Sequence, residues 1–260
     1  MVGLLGENGS GKTTTIRLIM GMLVPSYGEV SVFGEDPLYM QPATRARIGY
    51  IADEMGLPDT MTLGDGMRLH ASYFPTWDNA FAGRLLKRFD LYTGMHFGTL
   101  SKGQKRRYLL ALIVAQRPEF LVLDEPAGGL DTVVRRQFLD LLIELANERA
   151  LTVLISSHLL PDVERVVDRV AFVKAGRLVT QGALEDLKSN VKRLIFQSGD
   201  DVWRGRERFH VLKEDRGQGA IRLVVDNYSE EKAAGLFCTT EHLNLEELFL
   251  VYNGLQPGKA

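Results

Sequence analysis

A single cysteine, Cys238, stands in 260 residues, which excludes an internal disulfide and suits a reducing compartment. Long apolar runs are missing too. The longest unbroken one, LLALIVA at residues 109–115, falls well short of the roughly 20 residues that a membrane-spanning helix needs. No basic stretch followed by an apolar one opens the chain, so no secretory signal is read there. An excess of one charge is also lacking: 31 Lys and Arg against 33 Asp and Glu leave a net charge of −2. No global basic field favours nucleic acid or anionic lipid, and no nucleic-acid partner is expected. The short runs Lys105-Arg106-Arg107 and Arg135-Arg136 read as solvated helix faces. Repeats and low-complexity tracts are absent. What is present is a chain 45% hydrophobic, able to bury a substantial core and expected in the cytoplasm.

Short apolar runs alternate with helical patterns, so an α/β fold with a parallel central sheet is expected. The strand candidates are Val2–Leu5, Glu29–Phe33, Ile48–Ala52, Phe120–Asp124, Thr152–Ser156 and Val170–Val173. After the first, Ile16, Ile19, Met20 and Leu23 have the spacing of one buried helix face that ends near Gly21. Residues 55–115 lack strand signals and read as a helical insertion, so that residues 1–185 form one α/β domain. Residues 190–260 read as a small α+β accessory domain. There LIFQS, FHVLK and AIRLVV look like strands, the last two joined by the turn-rich EDRGQG at 214–219. NLEELFLVYNG follows as a helix with Leu245, Leu248, Phe249 and Tyr252 on one face, and Asn244 and Glu247 as a capping box.

Near the start sits Gly6-Glu7-Asn8-Gly9-Ser10-Gly11-Lys12-Thr13, which fits G-x-x-x-x-G-K-[ST] at every fixed position. Glycines let the backbone turn so tightly that successive N–H groups point at phosphate oxygens. Free N–H groups at the following helix start, Lys12 through Thr15 with Thr14 among them, add positive potential. Lys12 is placed for the terminal phosphates and Thr13 offers a hydroxyl to Mg²⁺. The anion is therefore a nucleoside triphosphate. Kinases, GTPases and ATPases share such a loop, and an Asn-Lys-x-Asp segment for guanine is absent.

FLVLDEP, residues 120–126, is an apolar run ending in two acids, as suits a strand buried on both faces. Ligands of open parallel sheets bind at the carboxyl ends of strands, where Asp124 and Glu125 fall. Adjacent strand residues point opposite ways, so the two acids take different tasks. Asp124 is placed to hold Mg²⁺, and Glu125 is the candidate base that polarises an attacking water.

LSKGQ, residues 100–104, reads locally as another capping box, with Ser101 and Gln104 opening a helix that runs through Ala115. That start offers a second anion site through the Ser101 hydroxyl and the Gly103 N–H. LSKGQ comes shortly before FLVLDEP, and GGLD follows at 128–131. In that order the set resembles the ATP-binding subunit of ABC transporters, over residues 1 to about 185. The segments ASYFPTWDNAFAGRLLKRFDL, SSHLLPDVERVVDRVAFVKAGRLV and NLEELFL look like the bacterial ABC-2 type exporters in particular.

The resemblance implies a P-loop ATPase fold with ATP and Mg²⁺ as cofactors. It gives His158, after LISS, the role of a switch histidine, and Asp131 a contact across a dimer. It also implies head-to-tail dimers, as a homodimer or with a paired ABC ATPase, in which Ser101, Gly103 and Gln104 of one copy close on the triphosphate held by the other. Hydrolysis would then drive a separate transmembrane permease from the inner face of the cell membrane. A non-transport ABC ATPase, or a nucleotide-gated interaction protein with little turnover, is the alternative. Two departures stand out. Relatives carry a glutamine where this chain has Asp53, a residue that could still reach Mg²⁺. They also carry about two or three more strands ahead of the phosphate loop, including an aromatic residue for adenine that MVGLL does not match. A translation start assigned too late, a true truncation, or a partner supplying the edge would each account for this, and the first is the expectation.

Overall fold

β1 (Val2–Leu5), β2 (Ile48–Ile51), β3 (Phe120–Asp124) and β4 (Thr152–Ser157) pair in parallel, in the order β2-β3-β4-β1. The computed structural model describes residues 1–149, 151–197, 199–217 and 219–254, with Arg149, Gly199 and Asp200 described by backbone alone. It divides into two units, Met1–His158 and Leu159–Ala260. In the first, the register sets Ile51 beside Leu123, Asp124 beside Ser156 and Leu5 beside Ser157, so all of the strands end at one level. That shared carboxyl edge is where an open parallel sheet presents its ligands.

The longer helices of this unit are α1 (Lys12–Ile19), α2 (Leu63–Tyr73), α3 (Asn79–Arg88), α4 (Lys102–Ala115) and α5 (Thr132–Arg149). The expected helical stretch thus holds α2, α3 and α4, each opened by a polar cap. Thr62, Asp78 and Ser101 accept from the N–H of Asp65, Phe81 and Gln104 at 3.1, 2.8 and 3.2 Å. The LLALIVA run is the buried body of α4, apolar all round because it lies inside the unit. Gly49 lets it approach β2: a Cβ there would meet Ile113 Cγ2 at 2.5 Å. Leu121, Val122 and Leu123 of β3 are fully buried, as a strand covered on both faces requires.

Two expectations fail here. Glu29–Phe33 is not a strand; Phe33 (φ 53°) and Gly34 (φ 82°) make a tight turn, closed by the lone bridge Val32–Glu35. The flanking residues are mostly exposed, so no ladder extends from it. The α1 face is also shorter than its pattern. Ile16 and Met20 are buried, but the chain turns left-handed at Gly21 (φ 66°) and leaves Leu23 exposed.

In the second unit, β5 (Arg169–Lys174) and β6 (Arg177–Ala183) form an antiparallel hairpin through Ala175-Gly176, both at positive φ. β7 (Lys192–Phe196), β8 (His210–Gly217), β9 (Ala220–Asp226) and β10 (Cys238–His242) make an antiparallel sheet in the order β10-β7-β9-β8. α6 (Leu184–Asn190) precedes it, and α7 (Gly199–Arg208) lies between β7 and β8. Leu194, Phe196, Val202, Phe209, Leu223 and Val225 form its core. α8 (Leu245–Tyr252) carries the expected Asn244–Glu247 capping box and buries Leu245, Leu248 and Phe249. β6, α6, α7 and β10 have no counterpart in the sequence reading. Of the turn expected over 214–219, β8 takes the residues through Gly217, and residue 218 lies outside the described residues, as do 255–260. Among the described residues no helix is long and apolar enough to cross a membrane.

Candidate functional site

The turn between β1 and α1 is built by Gly9 (φ 78°) and Gly11 (φ 110°, ψ 4°), conformations that an L side chain rarely adopts. Gly11 opens α1 with no side-chain cap, which leaves the N–H groups of Lys12, Thr13 and Thr14 at an uncapped helix start. Ser10 N–H closes the turn on the Glu7 carbonyl at 3.1 Å. Asn8 and Thr14 are exposed at its rim. Lys12 is only 5% exposed, and its ammonium donates to the carbonyls of Gly6 (2.8 Å) and Glu7 (3.2 Å).

From the far strand, Glu125 Oε1 lies 3.3 Å from the Lys12 ammonium, so residues 113 positions apart meet at the sheet edge. Asp124 Oδ1 accepts from Ser156 Oγ at 2.6 Å and from Thr13 Oγ1 at 3.3 Å. The Ser156 hydroxyl oxygen in turn accepts the Glu125 N–H at 2.9 Å. Glu125 stands at φ 48°, a left-handed backbone that costs a non-glycine residue about 1–2 kcal/mol. His158 Nδ1 sits 2.9 Å from Glu125 Oε2, with the ring partly open to solvent. Asp53, just past β2, lines a groove together with Thr13, Arg17, Tyr50 and Asp124. Burial, and then the Asp124 carboxylate, push the Tyr50 hydroxyl pKa up, so it stays protonated.

Ser101, Gly103, Gln104 and Asp131 form a second cluster. Asp131 caps α5, with Oδ1 accepting from the N–H of Val133 (3.1 Å) and Val134 (2.9 Å). Gly103 packs on that first turn, where a Cβ would meet Val134 Cγ1 at 2.7 Å. Ser101 stays exposed at the start of α4, and Gln104 is half-buried there.

Two residues escaped the sequence reading. Ser156 joins Asp124 to the Glu125 backbone, and its only signal is its place two residues before His158 on β4. Arg106, expected on a solvated face, is 4% exposed. It turns inward because its guanidinium finds the Ala52 and Asp53 carbonyls and the Asp53 carboxylate.

The cradle suits a triphosphate. Ser10 Oγ is buried without a hydrogen-bond partner among the described residues, a donor suited to a phosphate oxygen. Among those residues no three His, Cys, Asp or Glu side chains gather as a self-sufficient metal site. The Thr13 hydroxyl and Asp124 suit Mg²⁺, which commonly takes one or two protein ligands plus substrate phosphates.

Residues 1–128 match the ABC transporter family model. The bacitracin transport ATP-binding protein BcrA of Bacillus licheniformis is 34% identical over 76% of this chain, which spans 66% of that protein, just under two thirds. The ABC transporter ATP-binding protein NatA of Bacillus subtilis (strain 168) is 33% identical, with 72% of this chain and 78% of the relative aligned. YtrB of the same organism, also an ABC transporter ATP-binding protein, is 29% identical over 97% of this chain and 88% of its own length. A solved ATP-binding subunit of an ABC transporter superposes with a TM-score of 0.65 at 29% identity, covering 73% of this chain and 80% of its own. The chain belongs to the ABC transporter family, as one of its ATP-binding, ATP-hydrolysing subunits.

Proposed function

We propose that Gly6 through Thr14 hold the triphosphate of ATP and that Glu125, the residue paired with Lys12, polarises the attacking water. The observation that carries this reading is the 3.3 Å Lys12–Glu125 pair, which sets a carboxylate beside the phosphate loop. His158, 2.9 Å from Glu125, orients that carboxylate. Thr13 and Asp124, with Asp53 beside them in the groove, are the residues to hold Mg²⁺, which when bound would draw charge from the phosphates.

The second cluster completes the site in a partner copy or a paired ATPase. Ser101 and Gly103 open α4 away from any bond to their own phosphate loop, and an exposed helix start is a ready anion site. Two copies set head to tail would each close this start on the other's triphosphate. ATP would then hold the pair together and hydrolysis release it, a two-state element biased by the γ-phosphate. The partner moved by this cycle is a separate transmembrane permease, with this subunit on the cytoplasmic face of the membrane. Similarity to subunits named for bacitracin transport and as NatA supports that assignment. Residues 1–185 are read as the ATPase domain. Residues 190–260 are read as an accessory domain, supported by the core that β7–β10 close for themselves.

Glu125→Gln tests the assignment. Steady-state ATPase should fall by roughly 10²–10⁴, the usual worth of a positioned base. Light scattering should then find an ATP-dependent dimer. Undiminished turnover removes Glu125 from the role.

A further inference from the structure

The guanidinium of Arg106 leaves α4 and ends behind the groove. Nη1 donates to the Ala52 carbonyl at 2.8 Å, while Nη2 donates to the Asp53 carbonyl and to Asp53 Oδ1 at 3.0 Å. Burying a guanidinium is costly unless its donors are met, and here burial lowers its pKa while the Asp53 charge works against that shift. The fork therefore fixes both main chain and side chain of one residue. That residue lies at an informative place. Asp53 is 57% exposed on its side chain and lines the groove with Thr13 and Asp124. A Cβ on Gly128 would stand 3.8 Å from Asp53 Oδ1 and 3.2 Å from the Glu125 carbonyl, so Asp53 abuts the turn behind Glu125.

The geometry points to Arg106 as a positioning residue for the metal–nucleotide groove: its three bonds set where Asp53 stands relative to Thr13 and Asp124. This inference rests on the proposed binding of ATP with Mg²⁺ at that groove. It separates Arg106 from its neighbours in the basic run, since Lys105 pairs outward with Asp59 at 3.6 Å. A lysine at 106 would keep the charge but not the planar fork that meets two carbonyls and a carboxylate together.

The test reads binding, not turnover. The fluorescent analogue trinitrophenyl-ATP is titrated into the full chain with and without Mg²⁺, and the ratio of the two affinities is the metal's effect. Arg106→Lys should shrink that ratio about tenfold, the lower end of what loss of a supporting partner costs a metal site. Its metal-free affinity should match the parent protein. Asp53→Asn should shrink the ratio as well. The double variant should be no worse than the more severe single one, because Arg106 acts through Asp53. An unchanged ratio in Arg106→Lys, or additive losses, overturns the inference. Should Arg106→Lys melt at too low a temperature to assay, Asp53→Asn decides, and an unchanged ratio there overturns it equally. A parent protein whose analogue binding ignores Mg²⁺ overturns the metal reading itself, which distinguishes the two failures.

Discussion

Glu125 carries two burdens, an ion pair with Lys12 and a left-handed backbone. They can be separated by substitution. Glu125→Ala and Glu125→Gly both lose the carboxylate, but only glycine takes φ 48° freely. Chemical denaturation should therefore find Glu125→Gly more stable than Glu125→Ala by about 1 kcal/mol, with both equally inactive. Equal stabilities would show that the backbone is relaxed. Ser156 is the second test at this scale. Its hydroxyl serves Asp124 and the Glu125 N–H together, so Ser156→Ala leaves a main-chain donor unmet. Unfolding free energy should fall by about 1–3 kcal/mol, and ATP turnover should fall with it. Turnover that holds while stability drops would confine Ser156 to the fold. Neither Ser156 nor Arg106 was legible as a site residue, for one reason. The Ser156–Asp124 bond spans 32 positions and the Arg106–Asp53 bond spans 53, and no local pattern records a partner so distant.

Capped helices and buried strands are legible because their signals are local. Ser101 with Gln104, and Asn244 with Glu247, announce α4 and α8 through a three-residue spacing that the structure shows as reciprocal bonds. β3 is plain from its unbroken apolar run. The elements that escaped notice are polar ones. α7 reads GDDVWRGRER and buries Val202 while leaving Trp203 60% exposed, and β10 reads CTTEH at a sheet edge. Glu29–Phe33 shows the opposite error, a β-prone composition broken by the Phe33-Gly34 turn. One close packing contact between elements is testable. Gly49→Ala would push a methyl to 2.5 Å from Ile113 Cγ2 and 3.0 Å from Leu121 Cδ1. Overpacking of this kind should cost about 1–3 kcal/mol, read as a lowered denaturation midpoint. An unchanged midpoint would mean that α4 yields easily against β2.

The whole chain carries its motifs in two groups: the phosphate loop with the acids of β3, and the α4 start with the α5 cap. The proposed pairing of two copies brings one group of each to the other. Cysteines at Asn8 and Ser101, both exposed, should be joined between copies by a short bifunctional reagent when ATP is saturating and Glu125→Gln blocks hydrolysis. Bridges that never form under those conditions would sink the head-to-tail arrangement. At this scale the sequence reading reached the family because each motif is a contiguous string and the strings come in a fixed order. The antiparallel sheet of the second unit was only partly visible, since its edge strand and its helix lack apolar periodicity.

Lys12 already rests on the Gly6 and Glu7 carbonyls and on Glu125. In the proposed site an arriving nucleotide thus finds the ammonium in place and has only to become its next companion. Product departure hands the cation back to the same waiting oxygens. In the proposed cycle, then, nothing in this corner has to be refolded between turnovers.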